Sequence, residues 1–243
     1  MRNTTVIIPS RLEAQRLPNK PLVLINGLPM IVHVLNKAKA ADVGEVFVAT
    51  PDDDIAEVVK KNGGQVILTK RNHATGSDRI FEAFNKLEDQ NIEIIINLQG
   101  DMPNINPDYI KKINKLMEMK NCDLGTLASK LIKKEIHDMN VVKLETSENL
   151  NTDNFLKVKN FFRTVDKNKG LYIYYHIGIY AFTKKSLDTF INLKRSDNEI
   201  KRNLEQMRAI DNGLLIRSGL VDKTPIGVDT EEDFLKVTQE MKL

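Results

Sequence analysis

Apolar residues in the first half of the chain follow two alternating patterns. Short runs rich in β-branched residues predict buried strands at 4–9, 45–50, 65–68 and 93–98. Between these runs, apolar residues at helical spacing predict helices over 29–41, 55–61, 77–87 and 107–119. Strands that alternate with helices are typical of a parallel sheet covered on both faces. We therefore predict an α/β fold, with a mostly parallel sheet flanked by helices.

The second half of the chain has a different pattern. Predicted strands follow one another at 124–131, 141–144, 155–160, 172–182 and 214–218, with helices over 185–193, 200–211 and 230–241. We expect some of these strands to extend the sheet and others to form a smaller, β-rich lobe. The 243 residues suffice for a single domain over 1–243, with a first half at 1–120 and a second half at 121–243.

Composition narrows the class of protein. Hydrophobic residues make up 41% of the chain and charged residues 28%, as in ordinary soluble proteins. No apolar run approaches the ~20 residues of a membrane helix. The N-terminus lacks the pattern of a signal peptide, so we expect a cytoplasmic protein without membrane insertion.

Charge and cysteine content exclude further classes of site. Cys122 is the only cysteine, which excludes an intrachain disulfide and a thiolate metal site, and its apolar setting favours a packed thiol. The net charge of +3 is spread widely, and no nucleic-acid signature accompanies it. We expect no nucleic-acid partner, although a nucleic-acid-binding module remains an alternative with weak support.

The loop after the first strand carries three cations. Arg11, Arg16 and Lys20 at the carboxyl end of a strand can surround a polyanion, since arginine binds phosphate oxygens with a fork of donors. The chain lacks the glycine patterns of P-loop and dinucleotide-binding proteins. From spacing alone, a basic surface turn explains these residues equally well.

Two aspartates are candidate metal ligands. Asp101 follows the strand at 93–98, a place where packing does not explain a carboxylate, and Mg²⁺ prefers carboxylate and phosphate oxygens. Asp229 precedes the last helix, where it is also explained as a favourable charge at the helix N-terminus. The segment before the helix at 77–87 indicates a capped helix start, with Ser77 as the cap.

The order of several segments resembles the CMP-Kdo synthetases, the 3-deoxy-manno-octulosonate cytidylyltransferases. The opening match is Pro9-Ser10-Arg11, Arg16-Leu17-Pro18-Asn19-Lys20-Pro21-Leu22 and Ile25-Asn26-Gly27-Leu28-Pro29-Met30-Ile31. Further matches are His73-Ala74-Thr75-Gly76-Ser77-Asp78-Arg79, Leu98-Gln99-Gly100-Asp101, Tyr175-His176-Ile177-Gly178-Ile179-Tyr180, Asn203-Leu204-Glu205-Gln206-Met207-Arg208 and Gly227-Val228-Asp229-Thr230. The resemblance is colinear over almost the whole chain and thinner between 131 and 171.

The resemblance implies a nucleotidyltransferase of Rossmann-like fold that uses CTP and Mg²⁺ and forms a homodimer. The implied nucleotide-binding residues are Pro9, Ser10, Arg11, Lys20, Ser77, Arg79 and Gln99. Arg11, Arg16 and Lys20 would hold the triphosphate, and Asp101 and Asp229 the metal. With these two aspartates they form the implied catalytic set.

The resemblance also implies contacts to an acidic 3-deoxy sugar. The implied residues are Arg163, His176, Tyr180, Glu205 and Gln206. The chain departs from the family pattern at Met102, where the family has glutamate, and at Val165-Asp166, where it has Ile-Pro. These departures bear on the identity of the sugar.

The implied reaction transfers CMP from CTP to the anomeric hydroxyl of Kdo, releasing pyrophosphate, for lipopolysaccharide synthesis. One alternative is a cytidylyltransferase for another acidic sugar, such as 8-amino-Kdo or a nonulosonic acid. Another is a catalytically silent nucleotide-binding homologue, although the retention of Asp101 and Asp229 with all three cations argues against it.

Overall fold

The structure is a computed structural model that describes residues 3–13, 16–89, 91–119, 121–165 and 172–242. It divides into two compact units. The first comprises the described chain up to Lys111 together with the C-terminal segment from Pro225 on, and the second runs from Lys112 to Thr224. The C-terminal segment therefore packs with the N-terminal part of the chain, and the units do not coincide with two sequential halves that meet after residue 120.

The first unit contains a parallel sheet and a short hairpin. Its strands are β1 (Thr4–Pro9), β2 (Leu24–Ile25), β3 (Leu28–Pro29), β4 (Glu45–Thr50), β5 (Gln65–Leu68) and β6 (Ile94–Leu98). Its helices are α1 (Met30–Ala40), α2 (Asp53–Lys61) and α3 (Gly76–Asn85), and α4 (Pro107–Met117) leads into the second unit. The hairpin β2–β3 and the 3-10 turn Lys20–Leu22 before it escaped the sequence analysis because they are too short to show a period.

The sheet of the first unit has the order β5-β4-β1-β6 with every pair parallel. Val6 in β1 pairs with Val46 on one side and Ile96 on the other. The centres of β1 and β6 are fully buried, as their continuous apolar runs predict. All four strands point the same way, so their carboxyl ends meet at one edge of the sheet, where ligands of such folds bind.

The second unit is β-rich, as predicted. Its strands are β7 (Leu124–Ser129), β8 (Lys143–Thr146), β9 (Phe155–Phe162), β10 (Ile173–Thr183) and β11 (Ile216–Val221). β7 pairs antiparallel with β10 and parallel with β11, and β9 pairs antiparallel with β11 and β8. Its helices are α5 (Lys184–Asn192), α6 (Asp197–Arg202) and α7 (Met207–Asp211).

The prediction of one helix over 200–211 was wrong. Asn203 adopts a left-handed conformation with φ of 52° and ends α6, and α7 begins only at Met207. Asparagine tolerates this conformation better than most residues, so the break is encoded locally. The turn between the two helices carries Glu205 and Gln206.

The last helix, α8 (Glu231–Glu240), belongs to the first unit. Ile25 of the hairpin, Met30 of α1 and Val237 of α8 are fully buried in one apolar cluster with Val228. This cluster brings the segment before α8 to the loop that follows β1. Packing, rather than any local motif, thus sets the position of Asp229.

Cys122 is buried, and burial raises the pKa of its thiol to about 12. Its sulfur donates to the carbonyl oxygen of Leu124. The prediction of a packed, unreactive thiol is confirmed. Among the helices that the structure describes, none combines the length and the apolarity that crossing a membrane would need.

Gly44, in the turn before β4, gives a test of the fold. A Cβ at Gly44 would lie 1.8 Å from the carbonyl oxygen of Thr4, which is backbone and cannot move alone. We expect Gly44→Ala to lower the free energy of unfolding by about 3 kcal/mol, measured by urea denaturation.

Gly227→Ala is the matched control, because a Cβ there meets nothing within 4 Å. It should change stability by less than about 1 kcal/mol. Equal stability of the two variants would contradict the packing of β1 against the turn before β4.

Candidate active site

The carboxyl ends of the strands open into a cavity of about 700 Å³ within the first unit. Its lining residues come from the end of β1, from the β1 loop (residues 10–13 and 16–19) and the 3-10 turn after it, and from the β5 loop (residues 69–75) and the first turn of α3. The turn after β6 and Asp229 of the C-terminal segment complete the lining. Nine predicted site residues lie in its lining: Pro9, Ser10, Arg11, Arg16, Lys20, Arg79, Gln99, Asp101 and Asp229. The structure thus brings together residues from both ends of the chain.

The β1 loop is tied to the sheet where it begins. The Ser10 amide donates to the carbonyl oxygen of Ala49 over 2.9 Å. The Ser10 hydroxyl is buried and has no hydrogen-bond partner among the described residues. A buried polar atom without a partner in the cavity lining is suited to bind a ligand.

Lys20 lies between the two candidate metal ligands. Its ammonium nitrogen is 3.1 Å from Asp101 Oδ2 and 3.1 Å from Asp229 Oδ1. Arg16 binds the other oxygen of Asp229 at 3.0 Å. The side chain of Lys20 is largely buried, whereas those of Arg16 and Asp229 are about half exposed or more. The cluster therefore has a shielded centre and an open side.

Burial alone would lower the pKa of Lys20, but the charges of Asp101 and Asp229 raise its pKa above the ordinary value. Lys20 is therefore a fixed cation at neutral pH. It neutralises two carboxylates that would otherwise repel each other at this distance.

Backbone and amide contacts hold the two aspartates in place. The Val228 amide donates to the carbonyl oxygen of Asp101 over 2.9 Å. The Asn104 side chain accepts from the Ile226 amide and donates to Glu240 of α8. These bonds join the turn after β6 to the segment that precedes α8.

The two aspartates fit a hard divalent cation. Both carboxylates reach a single nitrogen atom, so they converge on one point. Carboxylate oxygens are the ligands that Mg²⁺ prefers, and it usually takes one or two of them together with phosphates and water. Among the described residues there is no group of three or more metal-ligating side chains, which agrees with a site completed by a substrate.

The β5 loop ends in a helix cap that differs from the sequence expectation. Thr75, not Ser77, caps α3: its hydroxyl accepts from the Asp78 amide, and Asp78 accepts from the Thr75 amide. Ser77 lies buried in the first turn of the helix and is not part of the cavity lining. The Thr-x-x-Asp pattern of a capping box was the signal that identifies Thr75.

Arg79 is buried, and its side chain is hydrogen-bonded to the first residues of the β5 loop. Its guanidinium donates to the Thr69 hydroxyl over 2.6 Å and to the carbonyl oxygens of Lys70 and Arg71. Burial lowers its pKa, and the nearby charge of Arg11 lowers it further. Arg79 lines the cavity while two of its hydrogen bonds go to backbone carbonyl oxygens.

Gln99 lies beside Gly76, the first residue of α3. Its Nε2 donates to Asn97 Oδ1 over 2.7 Å, and Asn97 is itself buried in β6. A Cβ at Gly76 would come within 3.6 Å of the Gln99 amide. A Cβ at this position would thus be in ordinary van der Waals contact with the amide.

Glu82 of α3 anchors the other side of the β5 loop. Its carboxylate accepts from the Lys70 amide, from the His73 ring and from Lys86. Burial acts to raise the pKa of Glu82, but these hydrogen bonds outweigh it and hold the pKa at about 2. His73 also lines the cavity, so the same contact orients its ring.

The predicted sugar-binding residues lie in the second unit. His176 in β10 is buried against Phe161 and Tyr180, and its Nε2 lies 3.1 Å from the Thr126 hydroxyl. Burial lowers the pKa of His176 to about 3, and burial raises the pKa of Tyr180. Both side chains are therefore neutral at physiological pH, where they offer hydrogen bonds rather than charge.

Arg163 follows β9, and its guanidinium donates to the carbonyl oxygens of Met139 and Asn140. Gln206 is buried at the start of α7, with Glu205 beside it in the turn. Asp166 of the altered segment lies outside the described residues.

Sequence reasoning did not assign Glu13 and Leu17 of the cavity lining to the site. It also missed Asp52, Arg71 and Glu82, which support the loops without lining the cavity. Charge in a loop or at a helix start is common, so these residues gave no signal of their own.

Glu82 gives a pH-dependent test of the β5 loop. Because its pKa is lower in the folded chain, its contacts stabilise the fold above the ordinary pKa of 4.5, and this is lost as the pH falls toward 2. We expect Glu82→Gln to cost about 2 kcal/mol in urea unfolding at pH 7, and much less at pH 3. A stability difference between wild type and Glu82→Gln that is as large at pH 3 as at pH 7 would contradict this role of the Glu82 carboxylate.

Comparisons with known proteins identify the family of this chain. The family model described as cytidylyltransferase matches residues 5–218. The chain is 44% identical over 232 residues to a 3-deoxy-manno-octulosonate cytidylyltransferase of Rhodopseudomonas palustris strain BisB18, covering 95% of this chain and 94% of that protein. It is 43% identical over 232 residues to the protein of the same name from Nitrobacter hamburgensis, covering 95% and 89%.

A solved structure has the same fold along almost its whole length. It is that of a CMP:2-keto-3-deoxy-manno-octonic acid synthetase complexed with CTP, with a TM-score of 0.89 and 33% identity over 99% of this chain and 98% of that one. The match includes both units. The chain therefore belongs to the cytidylyltransferase family and, within it, to the 3-deoxy-manno-octulosonate cytidylyltransferases, the CMP-Kdo synthetases.

Proposed function

We propose that this protein transfers CMP from CTP to the anomeric hydroxyl of Kdo, giving CMP-Kdo and pyrophosphate. The observation that carries the proposal is the cluster in which Lys20 joins Asp101 and Asp229 at the carboxyl edge of a parallel sheet. It lies in a chain that is 44% identical to relatives named for this reaction.

The cavity suits a nucleoside triphosphate. Arg11, Arg16 and Lys20 supply three cations at one side, and the Ser10 hydroxyl supplies an available polar group. Arginine forks and a lysine point charge are complementary to a chain of phosphates. We assign the triphosphate to this side, and the cytosine and ribose to the side formed by the β5 loop and Gln99.

We further propose that Asp101 and Asp229 hold a Mg²⁺ ion together with the phosphates. When bound, this ion would neutralise phosphate charge and lower the pKa of the attacking hydroxyl. Lys20 now balances the same two carboxylates, so we expect its ammonium to move toward a phosphate oxygen when the nucleotide binds.

The chain's contribution to the reaction is positioning and charge. The oxygen of the sugar hydroxyl bonds to the α-phosphorus and gives up its proton to water. The bond between the α-phosphorus and the bridging oxygen breaks on the opposite side, and pyrophosphate leaves with that oxygen. Arg11, Arg16 and Lys20 stabilise the charge that accumulates on the leaving pyrophosphate, as in other phosphoryl transfers. Of the histidines, only His73 belongs to the described lining of the cavity, where Glu82 binds its Nε2 and orients the ring.

For the sugar we propose His176, Tyr180, Glu205, Gln206 and Arg163 as contacts. The neutral pair His176 and Tyr180 supplies hydrogen bonds to hydroxyls, and Arg163 supplies a charge for the carboxylate. Arg163 would have to exchange its present carbonyl partners, or share them, to bind the sugar.

A related acidic sugar is the second candidate substrate. Met102, next to Asp101, is buried and apolar at a position where the family pattern has a carboxylate. Such a change alters polarity beside the reacting groups. 8-Amino-Kdo and nonulosonic acids are the alternatives that this observation favours.

We propose that the protein acts as a cytoplasmic homodimer whose product serves lipopolysaccharide synthesis. The support is the resemblance in sequence to the family, together with the use of CTP, a cytoplasmic nucleotide. Sedimentation of the purified protein would test the homodimer directly.

Pyrophosphate release with CTP and Mg²⁺ tests the function, with Kdo, 8-amino-Kdo and a sialic acid compared side by side. We expect release with Kdo. Release only with another acid would keep the reaction and move the substrate, whereas no release with any of the three, despite CTP binding, would favour a silent homologue.

Asp229→Ala tests the proposed metal site. Its carboxylate is half exposed and, within the described part of the chain, forms ion pairs with Lys20 and Arg16 alone, so its loss should leave the thermal midpoint within a few degrees. We expect turnover to fall by about a thousandfold or more.

Glu231→Gln is the matched control, because this exposed acid lies two residues further along, in the first turn of α8. It should retain full activity. Mg²⁺-dependent turnover that persists in Asp229→Ala would exclude Asp229 as a metal ligand.

A further inference from the structure

Strand order places the exit of β4 between two loops of the cavity. β4 lies between β1 and β5, and all three strands run parallel. Its last residues bond to both neighbours, because Ala49 accepts from the Ser10 amide and Thr50 accepts from the Thr69 amide. A residue just after β4 can therefore reach both the β1 loop and the β5 loop.

Asp52 occupies this position with an unusual set of contacts. It is the N-cap residue of α2, yet its side chain makes no capping hydrogen bond. Its Oδ2 instead accepts from the Leu12 amide over 2.8 Å, and its Oδ1 lies 2.9 Å from Arg71. By contrast, Thr75 and Thr230 cap their own helices in the usual way.

Asp52 is only 4% exposed, and burying a carboxylate is costly unless it is paired and hydrogen-bonded. Here both oxygens have partners, one on each loop. The buried charge thus links the β1 loop, next to Arg11, to the β5 loop.

Arg71 completes the link from the other side. One arm of its guanidinium binds Asp52, and the other lies 3.4 Å from Glu13 of the β1 loop. Its backbone carbonyl oxygen is bound by Arg79. The fork of Arg71 therefore spans Asp52, which accepts from the Leu12 amide, and Glu13, the residue after Leu12.

We propose that Asp52 and Arg71 are positioning residues that set the spacing between the β1 loop and the β5 loop for nucleotide binding. Neither residue lines the cavity, so they act through Arg11 on one side and through His73 to Gly76 on the other. This inference rests on the proposed function, since CTP must contact both loops at once. A loop displaced by about 1 Å can cost a large part of the productive geometry.

Affinity for CTP is the quantity to measure, by isothermal titration calorimetry on the full chain. Arg71→Gln and Asp52→Asn should each weaken CTP binding by about tenfold, because each breaks the ion pair. Asp52→Ala should bind CTP more weakly still, since it also removes the acceptor for the Leu12 amide. Arg71→Lys keeps the charge but loses the fork, so its affinity for CTP should lie between those of wild type and Arg71→Gln.

A double-mutant cycle distinguishes one shared role of Asp52 and Arg71 from two independent roles. The double variant Asp52→Asn with Arg71→Gln should bind CTP about as weakly as either single variant, because the second change removes nothing further. In steady state, the KM for CTP should rise while the KM for Kdo stays within about twofold.

Two matched controls lie on α2. Asp53→Asn removes a charge from the adjacent, exposed residue, and Lys61→Gln breaks an exposed ion pair with Glu57. Both should leave CTP affinity unchanged. Arg71 is half exposed, so its variants should fold even if Asp52→Ala does not.

Hydrogen exchange of the unliganded protein gives a readout that needs no nucleotide. Arg71→Gln should speed exchange in peptides that cover residues 10–13, while those of α2 stay unchanged. CTP affinity within twofold of wild type in both Arg71→Gln and Asp52→Asn would overturn the proposal, and so would unchanged exchange at the β1 loop.

Wild-type protein that fails to bind CTP would show that the proposed function is wrong. In that case the positioning role for CTP is wrong as well. If wild type binds CTP and the variants bind it with the same affinity, only the positioning role is overturned.

Discussion

The contact of Lys20 with Asp101 and Asp229 is the constraint on which the site depends. Lys20 and Asp229 are 209 positions apart in the chain, and only the tertiary fold brings them together. Two carboxylates directed at one point repel each other unless a cation lies between them. Lys20 supplies that cation, and Arg16 adds a second one on the open side. The return of the C-terminal segment to the first unit thus completes both a packed cluster and a charge-balanced site.

The parallel sheet provides a frame on which the residues for nucleotidyl transfer can be assembled. Parallel strands deliver the β1 loop, the β5 loop and the turn after β6 to one edge. Contacts between charged or polar side chains then fix the loops: Asp52 with Arg71 on one side, and Glu82 with His73 on the other. Lys20 lies at the shielded centre of the charge cluster, whereas Arg16 lies on its open side, where a polyanion can take the place of Asp229. A rigid frame with a few exchangeable ion pairs is well suited to chemistry in which positioning dominates.

Much of this fold was predictable from the sequence, for identifiable reasons. The runs around Val6 and Ile95 are continuous and apolar because both faces of the sheet are covered, and they predicted the parallel strands. Asp101 stood out because packing does not account for a carboxylate after such a strand. The break at Asn203 was missed because a single left-handed residue interrupts an otherwise helical pattern. Asp52, Arg71 and Glu82 were missed because their importance lies in partners distant along the chain. The role of Ser77 as a cap was wrong because Thr75, two residues earlier, forms the better capping box.

Binding of Mn²⁺ as a stand-in for Mg²⁺ tests the site most directly. Free Mn²⁺ can be followed by electron paramagnetic resonance, with and without CTP, in the wild-type protein and in Asp101→Asn. We expect weak binding by wild type alone, since Lys20 already balances the carboxylates, and much tighter binding once CTP engages Lys20. Asp101→Asn should lose this gain. Equal Mn²⁺ binding by the two proteins in the presence of CTP would contradict the assignment of Asp101 and Asp229 as the groups that hold the metal with the nucleotide.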